Sequence, residues 1–495
     1  MPHTKKSQEM KPAKAFATLL VMFAITGTSY AQKGIRTYIE NLKKDTLFSN
    51  AVVGIMVMDE KGREVASWNP DYPLLTASTM KTISTGLALK VLGPEYRYKT
   101  RIGYTGIVKD GVLKGDLYIV GGGDPTLGSK DTVAYPIDSI FGVWADAVKL
   151  AGINRIEGNI IGDDRFFANE IVPGGWAVSN LGPYYGSGTS GLSFMENLQE
   201  FTFKPGEKTG DHAEFVSVWP VVPGMKIINN IKTGIQSSRP STSLRLTELD
   251  RVVKYSGSLP LGGEPVVLTG SCKFPALACA EEFRLFLMRR GVRSNPLVYD
   301  SESYKLEKEE NINFIGETLS PPLASIANVT NRISNNFYAE TLFKTLGKVI
   351  TGSGSYDSSA VAVRRLLSSM GLPDRGFVQD DGSGLSRQNY VSARFFSNYF
   401  SKLKEKNDNF EVFFNSLPQP GGPGTLENVI KDATPEQKAR LHAKSGSLSS
   451  VRCYAGYAEK RGGGMYYFAI LTNNYQARTA QMQPKIEGFL KELVK

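Results

Sequence analysis

The chain of 495 residues is poor in the side chains on which many hydrolytic sites are built, with three histidines and three cysteines in all. Beyond residue 31 only His212 and His442 remain, far apart and without a neighbouring Cys or His, so no zinc-ligand spacing exists and a metal hydrolase is disfavoured. A Ser-His-Asp hydrolase would have to use one of these two. No Gly-x-Ser-x-Gly elbow leads from a buried strand into a helix. Asp381-Gly382-Ser383-Gly384 resembles one superficially, but the residues after Ser383 are loop-like, which makes it a poor nucleophile. The longest apolar run, Ala15 to Gly27, has 13 residues, where a membrane span needs roughly 20. There is no Lys/Arg run of the kind that forms a nucleic-acid-binding arm. Internal repeats and low-complexity tracts are absent too.

What is present describes a folded, exported protein. Hydrophobic residues make up 41% and charged residues 21%, enough apolar surface to offset chain entropy, and the length calls for two or three domains. Lys5, Lys6, Lys11 and Lys14 precede the apolar run, and Ser29-Tyr30-Ala31 follows it. This is the pattern of a secretory signal with a small-x-small cleavage site, so residues 1–31 are expected to be removed. Cleavage would take away four lysines and Glu9, leaving +7 of the formal +10. That balance suits an anionic polymer such as cell wall, a membrane surface, or simple solubility. The first cysteine is Cys272, so no lipid-anchored amino terminus is expected. Cys272 and Cys279 are seven apart and admit a disulfide without requiring one, whereas Cys453 lies in an apolar strand-like segment and reads as a buried thiol.

Two hairpins bracket the chain. Val52 to Met58 and Arg63 to Trp68 flank a turn at Asp59-Glu60-Lys61-Gly62, while Val451 to Ala458 and Met465 to Leu471 flank one at Gly462-Gly463-Gly464. A last helix follows, with Pro484 near its start and a stripe of Ile486, Phe489, Leu490, Leu493 and Val494 suited to packing on a sheet. The stretch from about 103 to 270 is glycine-rich with short strands. Within it Gly115 to Val120 runs into Gly121-Gly122-Gly123-Asp124-Pro125, a turn and not a phosphate loop, because Asp124-Pro125 stops any helix. Helical periodicity returns at Ala280 to Arg290, capped by Gly291, and from Leu323 onward.

Thr76-Ala77-Ser78-Thr79-Met80-Lys81 opens a helix, Met80 to Val91, with apolar residues at Met80, Ile83, Leu87 and Val91. Ser78 therefore sits where free backbone N–H groups and the helix dipole favour developing negative charge. Lys81, three residues on, shares its face and, if desolvated, can take the hydroxyl proton. A helix-capping serine with a solvated lysine has the same spacing, and roughly two such spacings arise by chance in a chain of this composition. Ser334-Asn335-Asn336 falls in a break between helical stretches Leu323 to Arg332 and Phe337 to Lys348. There a hydroxyl and an amide can relay a proton and hold a carbonyl, or merely cap a helix. Lys444-Ser445-Gly446-Ser447 lies at the start of a strand, just before Val451. It suits a bound carboxylate, or is a solvated edge lysine beside a turn.

Together, Ser-x-x-Lys, Ser-x-Asn and Lys-Ser-Gly in this order form the set shared by penicillin-binding proteins and class A β-lactamases. Ser78 and Ser334 are 256 residues apart, far more than a β-lactamase places between its first two motifs. The chain resembles the low-molecular-weight class C penicillin-binding proteins, the D-alanyl-D-alanine carboxypeptidase/endopeptidase family. Gly121 to Leu127, Gly162-Asp163-Asp164, Asp381 to Ser386, Gly424-Thr425-Leu426 and Leu471 to Asn474 extend the resemblance along most of the chain. Asn335 in the second motif and Ser445, where threonine is common, are the small departures.

The resemblance implies an α+β fold: a discontinuous transpeptidase-like (serine β-lactamase-like) domain, with an antiparallel sheet flanked by helices, plus two inserted β-rich domains. The catalytic domain is expected at 32–106 and 319–495, one insertion at 107–128 and 206–318, and another at 129–205. It also implies an acyl-enzyme mechanism on peptidoglycan stem peptides, in the periplasm and without cofactor or metal. Ser78 would be the nucleophile, Lys81 its base, Ser334 the proton relay to the leaving amine with Lys444 in support, and Asn336 a ligand of the substrate amide. The backbone N–H groups of Ser78 and Ser447 would hold the oxyanion, Lys444 and Ser445 would receive the terminal carboxylate, and Ser445, Gly446 and Ser447 would line the substrate site. β-Lactams would acylate the same serine. A β-lactamase or esterase on the same scaffold, and a non-catalytic wall-binding protein, are the competing readings. Oligomeric state, the preferred diamino acid and the carboxypeptidase/endopeptidase balance are not written in these motifs.

Overall fold

The structure, a computed structural model, describes residues 32–306 and 311–495. Residues 1–31, which the sequence leads one to expect as a secretory signal, lie outside the described residues. The chain divides into two compact units. One comprises 32–74, 391–405 and 418–495, the other the described residues of 75–390 and 406–417.

The first unit is built on a five-stranded antiparallel sheet in the order Glu64–Trp68, Val52–Asp59, Met465–Asn473, Val451–Glu459, Leu441–Leu448. Both expected hairpins are present, and the two ends of the chain meet where Val52–Asp59 pairs with Met465–Asn473 over eight residues. Val53, Ile55 and Val57 face a core shared with the helix at 32–44, through Ile35, Ile39 and Leu42, and with the carboxy-terminal helix Thr479–Leu493. Alternation sends Met56 to the opposite face. There the Ser397 hydroxyl donates to the Met56 carbonyl and the Phe400 ring packs on Tyr457, both from the helix Ala393–Lys406. A strand covered on both faces reads as a continuous apolar run, which is why Val52 to Met58 does not alternate. The last helix starts five residues before Pro484 and carries it in its interior. Proline removes one N–H there, and burial of Met482, Ile486, Phe489 and Leu490 outweighs the loss.

The second unit joins helices to short-stranded sheets. Its helices include Lys81–Leu92, Leu323–Arg332, Asn336–Thr351 and Tyr356–Ser369. A five-stranded sheet runs Val298–Asp300, Ile160–Asp163, Leu117–Val120, Lys99–Tyr104, Asn313–Leu319. The turn after Leu117–Val120 is closed by Asp124, which accepts from the Thr126 amide and hydroxyl. Strand Leu198–Lys204 pairs with both Glu214–Trp219 and Val266–Ser271, across the domain boundary expected at 205/206, because backbone pairing and not composition holds these segments together. The helix expected from Ala280 begins at Pro275, a residue suited to a first helical turn, and ends before Gly291.

All three cysteines are free and buried. Cys272 precedes the helix and Cys279 lies within it, so the bridge that their spacing allowed is not made. Cys453 is the buried thiol expected. Alkylation of the unfolded, unreduced protein is expected to modify three thiols, and reductant to leave the thermal midpoint unchanged. A bridge contributing about 2–4 kcal/mol would instead make the midpoint fall on reduction.

Candidate active site

The nucleophile candidate sits on a strained turn. Ala77 has φ +45°, and Ser78 follows it in a short 3-10 turn, Ala77–Met80, that leads directly into the helix Lys81–Leu92. A non-glycine residue at positive φ costs on the order of 1–3 kcal/mol and persists only where its surroundings over-determine it. Gly384 supplies part of that constraint. A Cβ on Gly384 would lie 1.8 Å from the Ala77 carbonyl oxygen, and its own φ is +84°, so only glycine lets the 381–384 loop pack against this turn.

Lys81 is 0% exposed. Its Nζ lies 2.9 Å from Ser78 Oγ, 2.6 Å from Asn336 Oδ1 and 2.8 Å from the Ser383 carbonyl oxygen. Burial pulls its pKa from 10.5 down to about 7, against the opposing pull of Glu340 and Asp381. The geometry assigns each hydrogen. A neutral amine has two, which the Asn336 and Ser383 oxygens accept, leaving its lone pair for the Ser78 hydroxyl proton. The ammonium has a third hydrogen, which Ser78 Oγ accepts, so both protonation states are satisfied without rearrangement.

The Ser383 carbonyl is itself held in place. Glu340, on the helix Asn336–Thr351 one turn beyond Asn336, accepts from the amides of Gly382 (2.8 Å) and Ser383 (2.9 Å). Burial and the nearby Asp381 push Glu340 up to about 8, while the Ser383 side chain, the Gly382 amide and the Lys81 charge act in the opposite direction. Asp381 accepts from the amides of Gly384 and Ser386, from Asn389 Nδ2 and from Trp176 Nε1. Four donors around one buried carboxylate fix the loop that presents the Ser383 oxygen.

Ser334 and Asn336 straddle a helix start. Ser334 has φ +63°, and Asn335 is the N-cap, its side chain accepting from the Tyr338 amide. Asn335 Nδ2 donates to Glu196, which also accepts from Ser129. Asn335 is thus the cap, and Asn336 is free to reach Lys81.

The structure therefore brings Ser78, Lys81 and Asn336 into direct contact, with Ser334 two residues from Asn336. Lys444, Ser445, Gly446 and Ser447 belong to the other unit. There they lie in the edge strand Leu441–Leu448, a strand of their own paired with Val451–Glu459. Lys444 is fully buried and its Nζ donates to the Ser445 carbonyl, so it is not a solvated edge lysine, while Ser447 is exposed. Sequence reasoning missed Glu340, Asp381 and the Ser383 carbonyl. The spacing of Asn336 and Glu340, four apart on one helix face, was the available signal.

This geometry can be set against known proteins. Residues 35–493 match the model of the D-Ala-D-Ala carboxypeptidase 3 (S13) family. A D-alanyl-D-alanine carboxypeptidase of Actinomadura sp. (strain R39) is 27% identical over 466 residues, covering 89% of this chain and 81% of that protein. The crystal structure of penicillin binding protein 4 from Haemophilus influenzae superposes with a TM-score of 0.78 at 20% identity, covering 90% of this chain and 97% of that one. The same protein complexed with a β-lactam gives 0.73 at 18% identity, with the same coverage. At these identities the structural likeness shows the fold, which is that of a penicillin-binding protein. The match over nearly the whole chain shows more: the protein belongs to the D-Ala-D-Ala carboxypeptidase 3 (S13) family of peptidases.

Proposed function

We propose that this peptidase is a serine-type D-alanyl-D-alanine carboxypeptidase/endopeptidase that works on peptidoglycan stem peptides through an acyl-enzyme on Ser78. The observation that carries this reading is the Lys81 amine, 2.9 Å from Ser78 Oγ with its other hydrogens directed at Asn336 and Ser383. Ser78 Oγ attacks the penultimate D-alanyl carbonyl as its proton passes to Lys81. The tetrahedral intermediate collapses with cleavage of the peptide C–N bond, and Ser334 passes a proton to the departing amine of the terminal residue, supported electrostatically by Lys444. Water then attacks the ester, and its proton returns through the same groups. The backbone N–H groups of Ser78 and Ser447 would hold the oxyanion, contacts worth roughly 3 kcal/mol per donor in other hydrolases. In our reading Asn336 also orients the substrate amide. Lys444 and Ser445 receive the terminal carboxylate, or its counterpart on a cross-linked neighbour, with Gly446 and Ser447 beside them in the substrate site.

A strained β-lactam amide presents the same carbonyl to the same serine, and its acyl-enzyme should be long-lived. A β-lactamase needs a base for deacylation. The buried carboxylates nearest Lys81, Glu340 and Asp381, have both oxygens occupied by N–H donors, which counts against that role. The proposal includes export to the periplasm on the 1–31 signal and an organisation in which the segment at about 107–318 is inserted into a domain made from both ends of the chain. Among the described residues, no helix is long and apolar enough to cross a membrane.

Labelled penicillin is expected to attach to the wild type and not to Ser78→Ala, and cross-linked or pentapeptide muropeptides to lose terminal D-alanine or their cross-link, read by mass. Labelling that persists in Ser78→Ala would remove Ser78 from the mechanism. Lys81→Met should slow acylation roughly 1,000-fold or more while leaving the protein folded.

The pH dependence follows from Lys81. Only the neutral amine has a lone pair for the Ser78 proton, so the acylation rate should be low in acid, rise through about pH 7 and then level off. Time courses of penicillin labelling across this range provide the check. A profile rising only near pH 10 would mean that the amine is solvated and not the base.

A further inference from the structure

The short turn Tyr184–Gly186 is distant in sequence from all three motifs, yet it touches one of them. The Tyr185 carbonyl accepts from Asn336 Nδ2 at 2.8 Å. Because a carbonyl oxygen can only accept, this contact decides which way the Asn336 amide faces. Nδ2 must point at Tyr185, and Oδ1 is left for Lys81.

The turn is gripped from behind by a second buried lysine. Lys273, 3% exposed, donates from Nζ to the carbonyls of Gly186 (2.6 Å) and Ser187 (3.0 Å). Two residues earlier, Ser271 fastens the segment leading into the turn, its amide donating to the Gly182 carbonyl and its hydroxyl to that of Leu181. Burial pulls the Lys273 pKa down to about 7. The neutral amine still has two N–H groups, one for each carbonyl, so the grip does not depend on its charge.

We propose that Lys273 is a positioning residue for acylation: by holding the Gly186 and Ser187 carbonyls it keeps the Tyr185 carbonyl on Asn336 Nδ2, and so keeps Asn336 Oδ1 on Lys81. With the turn released, the amide can rotate and present Nδ2–H to Lys81. The amine lone pair then accepts from Asn336 and not from the Ser78 hydroxyl, and the ammonium loses an acceptor. Acylation slows, and the Lys81 pKa falls further. This role rests on the acyl-transfer reading above, in which Lys81 is the base.

The test is a double-mutant cycle on the penicillin-labelling rate across pH, using wild type, K273M, N336A and the double variant. K273M should slow labelling on the order of 10- to 100-fold, move the acid limb to lower pH, and add no further loss in the N336A background. Labelling of K273M at the wild-type rate, an unshifted acid limb, or an equal loss with and without Asn336 would overturn the proposal while leaving Ser78 and Lys81 in place. A wild type that takes no label would instead overturn the acyl-transfer reading and this role with it. Where K273M gives no cooperative melting transition, K273A, which removes the same donors without placing a thioether stem among the carbonyls, enters the same cycle under the same criteria.

Discussion

Removing an amine from water is unfavourable unless each of its hydrogens finds an acceptor, and the surroundings of Lys81 are organised by that requirement. One acceptor is Ser78 Oγ, set on a strained turn. Another is Asn336 Oδ1, whose direction is decided by the Tyr185 carbonyl. The third is the Ser383 carbonyl, fixed from one side by Glu340 and from the other by the Asp381 network. Each acceptor is thus positioned by a different part of the chain, and each would be costly to leave unpaired.

The same burial sets the chemistry. Two carboxylates close to an amine would ordinarily keep it protonated, yet desolvation outweighs them and brings Lys81 to about 7. Glu340 and Asp381 spend their lone pairs on N–H donors of the 381–386 loop and of Trp176 and Asn389. Their oxygens are therefore engaged in holding a carbonyl in position rather than in an ion pair with Lys81. A fully paired lysine there would be a poor base, and a wholly apolar pocket would leave its hydrogens without acceptors.

Much of the fold and part of the site were legible in the sequence because they rest on local patterns. The two hairpins, the terminal amphipathic helix and Ser78 with Lys81 one turn later follow from alternation, periodicity and i,i+3 spacing, and each is found in the structure. What stayed hidden depends on backbone atoms or on distant partners. Asp381-Gly382-Ser383-Gly384 was noticed for its hydroxyl, whereas the atom facing Lys81 is a carbonyl oxygen, which every residue has. The helix at Pro275–Arg289 begins before the stretch read from the sequence, with proline in its first turn and Ala276, Leu277 and Ala278 already buried. The pairing of Leu198–Lys204 with Val266–Ser271 spans more than 60 residues, and no local signal specifies it.

Charge was read least well, for a reason that bears on function. Counting lysines as surface cations treats Lys81, Lys273, Lys344 and Lys444 like the rest, but all four are buried and each donates to at least one backbone carbonyl. Burial lowers Lys81 and Lys273 to about 7 and Lys344 to about 8, so a formal count overstates the charge that these residues offer to an anionic wall. The chemistry of the side chain explains the choice. A lysine carries its donors on a long flexible stem, reaches carbonyls that Asn or Ser cannot, and can shed a proton when burial makes the charge too costly. In Lys273 and Lys344 these properties fasten loops to the scaffold. In Lys81 the same desolvation leaves a lone pair facing a hydroxyl, so one physical device serves as a clamp where the amine donates to carbonyls alone and as a base where Ser78 is added.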